Sequence, residues 1–482
     1  MQYKWIVLSN TTIGVFIASL DTNIVLIALP TISRELKDTS FLDLLWILLG
    51  YQVVNGSLLV NFGRLSDMFG RVRLYTLGFA IFTAASALCS LSQTGAELIG
   101  FRLLQGVGSA FIFSNSGAII TDAFPQEERG KALGINQVAI VVGSLAGLVL
   151  GGILTAVAGW QSIFWVNIPT GIFATFWSRY QLHEIGDIRK GQRIDFLGNI
   201  TFAGGLATLL VAISLSAVSA VSRGESALLA ATGVGLLVVF IVTETKVKQP
   251  MLDFSLFRIR AFTAGTLASL FNSLARGAVV LTLTFYLQGP SMHLDALSAG
   301  IFLIPISVAI SLLGPMSGYL SDKYGPRFFA TSGLLVSMSG FVVLAQIGPT
   351  VTFWQLALPL SLVGAGIGLF QSPNRASVMS SAPPHQRGIA GGTATTVFIS
   401  AASFSLGLAF YIMTSGVPIA DLQNIFVGGT ASANAPWVGH FISSIHTVYY
   451  LSTAFLLAGV IPSALRGGKA TIKPPENEPT IE

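Results

Sequence analysis

Charge is what this chain has least of. Only 10% of its 482 residues are Asp, Glu, Lys or Arg, where a soluble domain carries ~25%. So few charges cannot cover a water-facing surface on a chain this long, which excludes a soluble globular fold. Cysteine is nearly absent as well. Cys89 stands alone in an apolar run, so no internal disulfide forms and the redox compartment stays open. None of the five histidines lies in the middle of an apolar run, so neither a metal site nor a histidine proton relay is expected. No GxxxxGK[ST] loop occurs, which argues against ATP as the driving force. A net charge of +5 is too small to read as a nucleic-acid footprint. No cleavable leader is expected either, because Trp5 to Ile32 is too long for a signal core and lacks a small-residue cleavage site.

What the chain does have is apolar length. Apolar residues make up 52% of it, glycines number 51 and the mean hydropathy is +0.73. Small residues at this frequency suit helices that pack closely in lipid. A hydrocarbon core needs ~20 apolar residues per helix, and fourteen stretches qualify: 5–31, 42–62, 74–92, 98–121, 132–157, 161–180, 196–217, 226–244, 262–287, 297–320, 328–347, 353–374, 389–412 and 441–465. With the N-terminus placed in the cytoplasm, 21 of the 26 Lys and Arg fall in cytoplasmic segments. Only Arg34, Lys37 and Arg223 fall on the other side, while Arg102 and Arg276 lie inside spans. This asymmetry predicts a multi-pass cell-membrane protein with both termini cytoplasmic.

The spans repeat. Gly63-Arg-Leu-Ser-Asp-Met-Phe-Gly-Arg-Val-Arg73 recurs 255 positions later as Gly318-Tyr-Leu-Ser-Asp-Lys-Tyr-Gly-Pro-Arg327. Gly106, Gly108, Ser114, Pro125, Arg129, Gly130 and Gly134 return at Gly364, Gly366, Ser372, Pro383, Arg387, Gly388 and Gly392, always 258 residues on. Spans 1–6 and 9–14 are therefore two copies of one six-helix unit, and spans 7 and 8 form an inserted hairpin. The fold expected is an all-α integral membrane protein with fourteen spans in two pseudo-symmetric bundles. Its divisions are 1–182 for the first bundle, 183–260 for linker and inserted helices, 261–466 for the second bundle, and a disordered tail at 467–482.

On these motifs the chain resembles the major facilitator superfamily, and within it the 14-span drug:proton antiporter family. The first-span stretch Leu20-Asp-Thr-Asn-Ile-Val-Leu-Ile-Ala-Leu-Pro30, the Gly63–Arg73 loop, Phe101-Arg-Leu-Leu-Gln-Gly-Val-Gly108 and Trp160-Gln-Ser-Ile-Phe-Trp-Val-Asn-Ile-Pro-Thr-Gly171 each look like a signature of that family. The fifth span departs from the pattern. It reads Gly143-Ser-Leu-Ala-Gly-Leu-Val-Leu-Gly-Gly152, with Leu148 where the family carries proline. Gly143, Gly147, Gly151 and Gly152 still allow close packing, without a proline kink. The resemblance implies a monomeric carrier that moves a small molecule against protons by alternating access, with no cofactor, metal or nucleic-acid partner.

Asp21 is the one acidic residue near the middle of a span, 16 residues in, or roughly 24 Å along the axis. A lone carboxylate there is penalised in its charged form and readied to take a proton. It is expected to be the principal coupling acid, with an inert, locked acid as the alternative. The resemblance gives Arg102 a part in proton coupling; a structural bond to backbone carbonyls is its other reading. Arg276 falls mid-span in the ninth helix, within about one residue of the pseudo-symmetric position of Asp21. It is either the counter-ion of Asp21 or a group that attracts an anionic substrate.

Gly63, Asp67, Gly70 and Arg71 read as a gate. By resemblance, Asp67 docks on the helix starting near Ile389, and Gly318, Asp322, Gly325 and Arg327 form the reciprocal latch. Cavity candidates are the polar residues on apolar spans: Gln52, Asn55, Asn115, Asn136, Gln137, Asn272, Gln371 and Asn374. The 33 phenylalanines could line a cavity for lipophilic cations. The function expected is proton-coupled export of hydrophobic or amphipathic compounds, that is, multidrug efflux. The alternative is export of one metabolite or organic anion. A membrane enzyme is the remote reading, since the intramembrane charges are scattered singly.

Overall fold

The computed structural model describes residues 2–185, 195–218, 220–247, 250, 252–289, 291–383, 387–414 and 436–467. Its first half consists of α1 (Tyr3–Glu35), α2 (Phe41–Phe69), α3 (Arg71–Ser90), α4 (Gly95–Ala123), α5 (Gln126–Ala158), α6 (Ser162–Trp165) and α7 (Asn167–Gln181). The inserted pair is α8 (Phe196–Ala217) and α9 (Arg223–Glu244). The second half runs α10 (Arg260–Arg276), α11 (Val279–Gln288), α12 (Ala296–Phe302), α13 (Ile304–Tyr324), α14 (Pro326–Leu344), α15 (Phe353–Ser381), α16 (Arg387–Thr414) and α17 (Pro436–Leu465). Among the described residues no β-strand forms. Parts of the expected linker and tail, 186–194 and 468–482, lie outside the described residues.

Among the described residues, thirteen helical stretches are long and apolar enough to cross a membrane. The fourteenth span, the sixth in order, is divided into α6 and α7 at Val166. Pro169 explains the break: without an N–H it cannot bond back to the Trp165 carbonyl. The ninth span is likewise two pieces, α10 and α11, jointed at Gly277–Ala278. In the tenth, α12 and α13 meet at Leu303 just before Pro305.

The two halves share one packing scheme. In the first, α4 lies against both α2 and α3, and α3 against α7; in the second, α15 lies against both α13 and α14, and α14 against α17. The closest pair of all is α1 and α5, and the glycines of span five are why. A Cβ added to Gly143, Gly147 or Gly151 would sit 2.4, 2.4 and 2.8 Å from the carbonyl oxygens of Phe16, Leu20 and Ile24. A glycine every fourth residue makes a groove that receives the α1 backbone directly, in the manner of small-residue interfaces in lipid. Leu148 therefore sits in a helix whose approach depends on flanking glycines and not on a kink.

The halves meet along two seams. On one, α2 faces α16: Ser403 Oγ donates to Gln52 Oε1 at 3.3 Å, Thr396 Oγ1 to Gly56 O at 3.3 Å, and Ile399 packs on Gly56. On the other, α5 crosses α12, with a Cβ at Gly152 falling 2.6 Å from Ala296 O. At the end away from the Gly63–Arg73 loop, Gln288 Nε2 donates to Ile27 O at 3.0 Å, tying α11 to α1. The inserted hairpin lies outside the α2–α16 seam. Helix α8 packs on both, Asn199 Nδ2 donates to Ser57 O at 2.6 Å, and α9 faces outward.

Candidate functional site

Asp21 is fully buried, and it is not alone. Its Oδ2 accepts from Arg102 Nη1 at 2.6 Å, and its Oδ1 accepts from Gln105 Nε2 at 2.8 Å and Asn167 Nδ2 at 2.7 Å. Arg102, 1% exposed, donates further from Nη1 to Gln105 Oε1 at 2.6 Å and from Nε to Ile47 O at 3.2 Å. Its guanidinium lies 4.3 Å above the Tyr51 ring and 5.9 Å from that of Phe164. Gln105 Nε2 also reaches Ser86 Oγ at 2.8 Å. Five spans, the first, second, third, fourth and sixth, are thus knotted around one carboxylate.

Local sequence places each member. Arg102 and Gln105 are three apart on α4 and so share a face. Gly147, against the Leu20 carbonyl, lets α5 press α1 inward beside Asp21. The break at Val166 makes Asn167 the first residue of α7, where its amide turns toward Asp21. Asp21 is not the lone acid expected from sequence: its carboxylate has a cation and two amide donors. Of the two partners open to Asp21 from sequence, Arg102 is the one bonded to it. Gln105, Asn167, Ser86 and Tyr51 were missed. Gln105 and Asn167 lie inside motifs already singled out, so the available signal was an uncharged amide within each of those motifs.

Arg276 lies elsewhere, 17 residues into a span of 29. Its guanidinium rests 4.7 Å over the Phe398 ring on α16. Among the described residues its buried Nε has no hydrogen-bond partner and no carboxylate pairs with it. The proposed pairing with Asp21 across one cavity is therefore not made, because Asp21 is turned into its own half.

The polar cavity candidates are not gathered in one place. Gln52 and Gln137 bridge the halves, the latter accepting from Arg375 Nη1 of α15. Asn55 Nδ2 donates to Ser109 Oγ at 3.2 Å beneath Tyr51, while its Oδ1 is buried and unpartnered. Asn136 Nδ2 donates to Ser116 Oγ at 3.1 Å, and Asn115 Nδ2 bonds its own helix at Phe111 O, 2.8 Å away. Asn374 Nδ2 donates to Gly265 O at 3.1 Å and its Oδ1 accepts from Arg466. Gln371 is partly exposed on α15, and Asn272 is buried on α10 with Oδ1 unpartnered.

At the first repeated loop, Arg71 is clamped between two acids. It reaches Asp67 Oδ1 at 2.7 Å and Asp122 Oδ1, at the end of α4, at 2.7 Å. Gly70 takes φ +104°, which a side chain rarely adopts, and Glu184 Oε1 receives the Arg73 N–H at 2.9 Å. A carboxylate suits that spot, the N-terminus of α3. A side chain at Gly63 would meet nothing within 4 Å, so no steric reason fixes glycine there. In the second loop Gly325 repeats the turn with φ +89°, a Cβ on Gly318 would press on Ser372 Oγ at 2.6 Å, and Arg327 is exposed. The side chains of Asp322 and Ile389 lie outside the described residues, and the docking of Asp67 near Ile389 with them.

Comparison with known proteins fits this geometry. The profile of the Major Facilitator Superfamily matches residues 11–407. The chain is 34% identical over 417 residues to the riboflavin transporter RibZ of Clostridioides difficile (strain 630), covering 85% of this chain and 88% of that protein. It is 29% identical over 445 residues to multidrug resistance protein 3 of Bacillus subtilis (strain 168), covering 90% and 83%. Among solved structures, an inward-facing, unoccupied bacterial homolog of the human lysosomal transporter Spinster shares the fold. The TM-score is 0.67 at 15% identity, over 96% of this chain and 97% of that one.

Proposed function

Because this chain belongs to the Major Facilitator Superfamily, a family of transporters and not enzymes, we propose that it is a proton-coupled exporter of amphipathic small molecules. The observation that carries the coupling is the closed network around Asp21. A buried carboxylate holding a guanidinium and two amides is a two-state joint. Ionised, it ties α1 to α4 and α7; protonated, it loses the charge that holds Arg102 and one acceptor oxygen. A single proton then changes how the first span is bonded to its neighbours, which is what a coupled carrier needs from a proton site. The distribution of Lys and Arg supports the loop-bearing ends, and both termini, on the cytoplasmic side.

A second reading, export of one metabolite, is favoured by the relative named for riboflavin. Both are tested by one preparation: purified protein in liposomes with an imposed pH gradient, offered rhodamine 6G or riboflavin, with proton flux followed by an internal pH dye. Uptake of a probe against an opposite proton movement is expected. Probe movement indifferent to the gradient overturns the coupling.

A further inference from the structure

We propose that the second half holds an anion subsite built from Arg276, Asn272 and the opening turn of α11, and that the exported molecule places an acidic, planar group such as a carboxylate there. The proposal rests on the exporter reading and names its substrate class. It starts from an imbalance of charge. Asp21 and Arg102 neutralise each other in the first half, whereas Arg276 lies at mid-span with no carboxylate partner among the described residues. An uncompensated cation at that depth is costly, and such groups are kept where they serve a ligand or an ion path.

The surroundings of Arg276 are those of a receptor and not of a structural tie. The Phe398 ring supports the flat face of the guanidinium at 4.7 Å, which leaves the in-plane N–H groups for a bidentate acceptor. Among the described residues its Nε has no partner. Asn272, one turn earlier and on the same helix face, is 2% exposed; its Oδ1, without a partner among the described residues, only accepts, so toward an anion this amide acts through Nδ2. Arg276 is also the last residue of α10. The chain is re-set at Gly277–Ala278, where Gly277 N–H bonds to Ser273 O and Thr282 N–H to Ala278 O. The ten-residue helix α11 then begins at Val279. The first N–H groups of a helix have no partner within it, and they carry its positive end. A broken span that starts a half-helix at mid-membrane beside an unpaired arginine is organised to receive negative charge. Gly277 is held by close contact with α16, a Cβ there falling 2.7 Å from Ala402 O, so the joint is fixed relative to Phe398.

The test uses two xanthene dyes of similar size and opposite charge, fluorescein with its free carboxylate and the cationic ester rhodamine 6G. Full-length protein in liposomes is assayed for exchange of labelled against unlabelled dye without any pH gradient, so that proton coupling does not enter. Wild-type protein is expected to exchange fluorescein, and Arg276→Gln to weaken its apparent affinity by at least about tenfold, as loss of charge-assisted bonds implies. Should Arg276→Gln not fold, Arg276→Lys decides, since it keeps the charge and removes the planar fork. A clear loss of fluorescein affinity is expected of it, and unchanged affinity overturns the subsite. Exchange of rhodamine 6G with none of fluorescein by wild-type protein also overturns it while leaving the exporter reading intact. Exchange of neither dye contradicts both.

Discussion

Asp21 and Arg276 both lie well inside membrane-crossing helices, one in each half of this transporter, and their housings differ in kind. Both oxygens of Asp21 are met: by one guanidinium and two amides and, beyond them, a serine and a backbone carbonyl, all from the first half. Around Arg276, among the described residues, there is one aromatic face, a buried Nε with no partner and an amide oxygen with none. The packing scheme that repeats between the halves therefore carries two unlike chemistries. In the proposed coupling, a proton on Asp21 removes the charge that holds Arg102. An unneutralised cation waits for a charge brought from outside. The contrast suggests that the first half senses protons and the second half meets cargo.

The largest predicted effect breaks that contrast through stability. Arg102→Ala leaves Asp21 buried without its cation and should cost about 3–5 kcal/mol, read as a lowered unfolding temperature in detergent. The double change Asp21→Asn with Arg102→Gln should regain much of the loss. Arg276→Ala, by contrast, should be neutral or stabilising. Equal damage from both single arginine variants would erase the difference drawn here. Next in size is Gly147→Ala. Its new methyl would sit 2.4 Å from the Leu20 carbonyl, forcing α1 away from α5 at a cost of about 1–3 kcal/mol. Gly63→Ala, inside α2 with open space around it, should cost nothing and raise the same melting curve slightly, by about 0.5–1 kcal/mol at most.

The two repeated loops give the smallest test. Arg71 joins Asp67 and Asp122, while Arg327 is exposed. Arg71→Ala should therefore cost up to about 1 kcal/mol, and Arg327→Ala nothing measurable. A larger loss at Arg327 would show that the second loop also latches.

Much of this was legible in the residues alone. Fourteen apolar runs, the fixed repeat offsets and the inserted hairpin all follow from patterning, which lipid enforces more strictly than water does. The charged members of the site were legible for the same reason: an ionisable residue stands out in an apolar run. Gln105, Asn167, Ser86 and Tyr51 did not stand out, because a neutral polar side chain on a span looks the same whether it bonds its own helix, as Asn115 does, or a distant acid, as Asn167 does. Nor could the direction of Asp21 be read. That depends on the Gly143–Gly147–Gly151 groove pressing α1 inward and on the broken sixth span presenting Asn167, both of which are facts of packing.

The central claim is that Asp21 is where a proton acts, and one measurement tests it directly. Asp21→Asn keeps the side-chain shape and loses the titratable charge. In liposomes it should still exchange probe for probe at equilibrium, but it should fail to accumulate probe when a pH gradient is imposed and should move no protons with it. Full gradient-driven accumulation by Asp21→Asn, with coupled proton flux intact, would contradict the account.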